Sequence, residues 1–110
     1  MHQPIARPID ASVDVPAVEA LEGCAGTAVP KRLSKRARAV RSLLVRADRT
    51  RRARTATLLR RAGKRLDALA AKAASQQRKG RLTPECEAAI EAAVEGAQSA
   101  LACVAAASGG

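Results

Sequence analysis

Apolar residues recur along this chain in three separate helical stripes. Leu33, Ala37, Val40, Leu44 and Ala47 fall at the i, i+4, i+7, i+11 spacing of one face of a helix, with Leu43 beside it. The spacing predicts a first helix over 31–47, opening just after Pro30. The stripe fails at Asp48-Arg49-Thr50, where Arg49, Arg51 and Arg52 would carry charge through the apolar face of a continued helix, so a turn is expected there.

A second helix is expected over 53–79. Leu58, Leu59, Ala62, Leu66, Leu69, Ala70 and Ala73 share one side, and Arg54, Arg60, Arg61, Lys64, Lys72 and Arg78 share the other. Gly63 weakens its middle by about 1 kcal/mol relative to alanine. Gly80, after Arg78-Lys79, stands where a helix C-terminus needs a left-handed residue, and Leu82 beyond it is placed to fold back on the last turn.

Thr83-Pro84-Glu85 is a helix start: a capping hydroxyl, a proline at the first helical position, and an acid in the first turn. The third helix is expected over 84–107, with Cys86, Ile90, Ala93, Val94, Ala97, Ala100, Leu101 and Val104 as its stripe. Glu87, Glu91 and Glu95 flank that stripe, set to face basic neighbours. At ~1.5 Å per residue the second and third helices span about 40 and 36 Å, so they match as a hairpin that the first helix covers only in part.

Short connections between three amphipathic helices predict an all-α fold, an antiparallel up-down-up three-helix bundle. Residues 108–110 form a short flexible tail in this reading. Pro4, Pro8, Pro16 and Pro30 make the first thirty residues an irregular arm. Asp14 before Val15-Pro16 caps, in this reading, a short helix through Leu21 or Glu22 that Gly23 stops.

Composition thins the core. Phe, Tyr and Trp are absent, which removes both the largest core side chains and the platforms that stack unpaired bases. Burial of a dozen aliphatic side chains, each contributing roughly 1.5–3 kcal/mol, is set against a backbone ordering cost of about 1–2 kcal/mol per residue. The balance sits near zero and calls for a covalent tie or a partner.

Charge is divided by region. The formal net charge is +10, yet Met1 to Pro30 holds one cation, Arg7, against Asp10, Asp14, Glu19 and Glu22. Lys31 to Arg81 holds every other lysine and arginine against only Asp48 and Asp67, and the remainder holds only Glu85, Glu87, Glu91 and Glu95. Such a basic block attracts polyanions, whether nucleic acid, anionic lipid or acidic protein. The other reading is that arginine on a solvated face only keeps the protein soluble.

Arginine neutralises phosphates in a two-pronged grip, so Arg32, Arg36, Arg38, Arg41, Arg49, Arg51, Arg52, Arg54, Arg60 and Arg61 are the candidate polyanion contacts. No DNA-reading motif accompanies them, so binding is expected to ignore base sequence. A protein partner is a further expectation, and a small-molecule substrate is not.

Enzymatic chemistry lacks its parts. His2 is the sole histidine, Cys24, Cys86 and Cys103 have no metal-ligand spacing, and there is no glycine-rich phosphate loop or Ser-His-Asp set. The reading is therefore a non-enzyme without metal or cofactor. The up-down-up path brings Cys24, just before the first helix, to the end of the bundle where the third helix begins with Cys86. Cys103 lies about 25 Å further along that helix. A Cys24–Cys86 disulfide is expected in an oxidising compartment; otherwise Cys86 is a small core residue and Cys24 a free thiol. Cys103, off the stripe, is expected to be free or intermolecular.

No apolar run of about 7–15 residues follows Met1 to Asp10 as a secretory signal requires, and the longest apolar run, Ala100 to Ala107, is too short to span a bilayer. A cytoplasmic protein, or a piece of a longer exported one, is the expectation. From Leu33 to Leu101, and above all in Gly80-Arg81-Leu82-Thr83-Pro84-Glu85-Cys86, the chain resembles Ala/Arg/Leu-rich helical segments of uncharacterised exported proteins of high-GC bacteria, which implies a disulfide-tied structural appendage. Its layout, with a Lys79-Gly80 turn before the third helix, is also similar to a small-subunit ribosomal protein that is a basic three-helix bundle.

Overall fold

The structure, a computed structural model, describes residues 13, 15–48 and 52–109. Three helices account for most of it: α1, Lys31–Asp48; α2, Arg52–Arg78; and α3, Pro84–Gly109. The fold is the all-α three-helix bundle, antiparallel and up-down-up, and it is elongated, 54 × 25 × 18 Å. The connection at 49–51 and the Asp14 cap lie outside the described residues.

Each helix buries the stripe that its sequence spacing defines. Leu33, Ala37, Val40, Leu44 and Ala47 of α1 meet Leu58, Leu59, Ala62, Leu66, Leu69 and Ala73 of α2, and Cys86, Ile90, Val94, Ala97 and Leu101 of α3 complete the core. α2 is the shared helix, packed along α1 on one side and along α3 on the other. Near the α1–α2 connection the Thr55 hydroxyl donates to the Ala47 carbonyl at 3.3 Å. Midway along the other seam, the Gln98 amide donates to the Asp67 carboxylate.

The two ends of the α2–α3 connection form as the residues dictate. Gly80 has φ +73°, and the amides of Gly80 and Arg81 donate to the carbonyls of Gln77 and Gln76 at 3.0 and 2.9 Å. That pair of bonds is a Schellman closure, which satisfies carbonyls the helix end would leave orphaned. Leu82 folds back into the core at 4 % exposure. The Thr83 hydroxyl then accepts from the Cys86 amide at 3.1 Å, capping α3.

The arm departs from the expected short helix. It makes two 3-10 turns, Val18–Ala20 and Glu22–Cys24, joined through an extended Leu21. Gly23 does not stop a helix but lies inside the second turn, where a Cβ would stand 2.6 Å from the Glu85 carbonyl oxygen and 2.8 Å from the Ala89 methyl. Only glycine lets the arm approach α3 so closely. The first turn rests on α1 and the second on α3, so the arm closes the side of the bundle opposite α2. Val13, Val15 and Val18 enter the core with it, and Val15, Val18 and Leu21 sit over Leu66, Leu69 and Ile90.

Cys24 and Cys86 lie at disulfide distance, with Cα atoms 4.3 Å apart, and are bonded here. Cys103 is free and exposed on α3. Pro84–Ala106 is also the one described helix that is long and apolar enough, by length and composition, to cross a membrane, and 22 % of its most apolar window is buried in the bundle. Alanine supplies that apolarity without any long run, which is why the run length alone did not reveal it.

Candidate polyanion-binding face

Because the leucine stripes of α1 and α2 turn inward, the positions between them turn outward, and these are the arginines and lysines. Arg32 and Arg38 of α1 are exposed, as are Arg54, Arg60 and Arg61 of α2. Arg60 lies beside the Thr57 hydroxyl, 3.5 Å away. Arg36 and Arg41 are half-buried, and the Arg36 Nε is buried without a hydrogen-bond partner among the described residues. Arg49 and Arg51, and the side chain of Arg52, lie outside the described residues.

Two of these arginines already face an anion. Glu19, in the first turn of the arm, accepts a 2.7 Å hydrogen bond from the Ser34 hydroxyl and shares a groove with Arg38 and Arg41. Its carboxyl is held below the usual range, first by the Ser34 bond, then by a backbone hydrogen bond, with the charges of Arg38 and Arg41 adding to this against partial burial. The acidic arm thus offsets part of the basic face.

Elsewhere cations crowd one another. The Lys72 ammonium on α2 is held below the usual lysine range chiefly by the charge of Arg32 across the seam, then by partial burial, Lys79 and Arg36. This cluster gathers at the end of the bundle where α1 begins and α2 ends. Lys31, Lys79 and Arg81 belong to the same end and are exposed. None of the three cations that α2 and its closure bring there, Lys72, Lys79 and Arg81, was among the candidate contacts expected from the sequence. The signal was present in the Gly80 closure, since an up-down-up path returns the end of α2 to the start of α1.

Two acids of α3 act on each other. Glu91 is exposed, and its pKa is raised by a hydrogen bond with Glu87 and by the Glu87 charge. Glu87 and Glu91, one turn apart on α3, thus meet each other. Among the described residues no three His, Cys, Asp or Glu side chains converge as a metal site would need. Comparison of the chain with protein-family models, with curated proteins and with solved structures gives no match.

Proposed function

We propose that this chain is a non-enzymatic basic helical module that binds polyanions, nucleic-acid backbone or another anionic surface, by electrostatics that ignore sequence. The observation that carries this reading is the cationic end of the bundle, where Lys31, Arg32 and Arg81 line one groove and the Arg32 charge bears on Lys72 across the α1–α2 seam. Such an arrangement repels itself in isolation and is relieved when counter-charge arrives. Exposed Arg54, Arg60 and Arg61 add positive charge further along α2.

Titration of duplex DNA and of anionic vesicles at stepped salt tests it. Neutralising ~6–10 phosphates should lower duplex affinity by about 10³–10⁵ between roughly 50 and 200 mM salt. Binding that is micromolar or weaker even at low salt refutes the proposal, and vesicle binding in place of duplex binding moves it to a lipid surface.

A second reading has its own support. The Cys24–Cys86 pair at disulfide distance suits an oxidising compartment, as in a structural or protein-interaction module of a longer exported protein with a merely solvated basic face. A salt-independent protein partner, captured only by the oxidised form, would favour it.

A further inference from the structure

α1 begins against the usual chemistry of helix starts. The unsatisfied N–H groups and aligned peptide dipoles of a first turn leave positive charge there, which a capping oxygen or an acid normally offsets. α3 conforms, with Thr83 as its cap and Glu85 and Glu87 in its first turn. α1 does the reverse: Pro30 has no side-chain oxygen, no acid stands in the first turn, and the first two residues are Lys31 and Arg32.

The Schellman closure of α2 adds donors at the same place. Arg81 is turned back beside Gln76, and both line a shallow groove with Pro30, Lys31 and Arg32. Gln76 is 3 % exposed, and among the described residues its carboxamide has no hydrogen-bond partner, although a buried amide normally has one. It meets solvent at a groove lined by cations. The Leu33 amide donates to the Pro30 carbonyl at 3.0 Å, which leaves the Lys31 and Arg32 amides, the two cationic side chains, Arg81 and Gln76 as the donors around the groove.

We propose that this groove is a discrete phosphate-binding site, in which the Lys31 and Arg32 amides at the start of α1, the Lys31 and Arg32 side chains, the Arg81 guanidinium and the Gln76 carboxamide hold one phosphate group. The other exposed cations of the hairpin attract a polyanion diffusely, whereas this cluster anchors one phosphate in a fixed position. The proposal rests on the polyanion reading only for the natural source of that phosphate; inorganic phosphate should enter without it.

The test uses the oxidised full chain, labelled with nitrogen-15 and titrated with inorganic phosphate at constant ionic strength. Saturable shifts are expected at the Lys31 and Arg32 amides and at the Gln76 side-chain amide, with Arg60 and Arg61 unmoved. Gln76→Leu and Arg81→Gln should each weaken binding about tenfold, as loss of a hydrogen bond to a charged group implies. Shifts that fail to saturate or spread evenly along α2 overturn the site, as does unchanged affinity in Arg81→Gln. That variant alters an exposed residue and decides the matter should Gln76→Leu fail to fold. A short DNA duplex titrated in parallel separates the two proposals: salt-dependent duplex binding without phosphate saturation sinks the site alone, and phosphate saturation without duplex binding sinks the polyanion reading alone.

Discussion

Reduction of the Cys24–Cys86 bond should remove a large part of the molecule's stability. The bond closes a loop of 62 residues' separation, and chain-entropy reasoning assigns such a loop about 4 kcal/mol of stabilisation through the unfolded state. With an unfolding entropy of about 2 cal/mol/K per residue, that corresponds to a fall in Tm of roughly 15–20 °C. The assay is thermal circular dichroism with and without reductant, in a Cys103→Ser background so that the exposed thiol cannot cross-link copies. Hydrogen exchange should show where the loss begins. The Leu21 and Ala25 amides, bonded to the Val18 and Glu22 carbonyls at 3.1 Å, should lose protection before the centre of α2. A reduced protein that melts within a few degrees of the oxidised one, or alkylation of both thiols after oxidative folding, refutes the reasoning.

Gly23→Ala forces a methyl against the Glu85 carbonyl and Ala89, and should cost about 1–3 kcal/mol in urea unfolding; an unaffected midpoint would mean the arm is not docked so tightly. Gly63→Ala meets open space in mid-helix and should stabilise by up to about 1 kcal/mol in the same assay. Two carboxyls should respond to pH with opposite sign in Tm profiles. Glu19, with its pKa lowered, contributes stability that is full above its unfolded value and lost as pH falls through the lowered one, so Glu19→Gln should differ from the parent near neutrality and converge with it in acid. Glu91, with its pKa raised, contributes most below its unfolded value and loses that contribution as pH rises through the raised one, so Glu91→Gln should level that part of the profile.

The helical fold was legible because three periodic stripes, one glycine closure and one threonine cap agree with one another. The Cys24–Cys86 juxtaposition followed from topology alone. The arm was not legible as a core element: its prolines interrupt any long stripe, and Val15, Val18 and Leu21 recur every third residue over too short a stretch to separate two 3-10 turns from one turn of α-helix. The i, i+4 spacing of the α3 glutamates shows which residues share a face, and it is the same spacing that brings Glu87 and Glu91 together. Of the basic face, the arginines of α1 and α2 could be read one helix at a time, whereas the Lys31, Arg32, Lys72 and Arg81 cluster exists only where two helix ends meet.

The bond between Cys24 and Cys86 turns everything from the end of the arm through α1 and α2 into a covalent ring. A protease that cuts once within that ring, for instance among the arginines that link α1 to α2, linearises a circle and severs no piece from the whole. Both fragments stay attached until a reductant arrives, and the nicked chain keeps its composition but for one added water. A surface so rich in trypsin sites is thereby protected against losing a helix to a single cleavage.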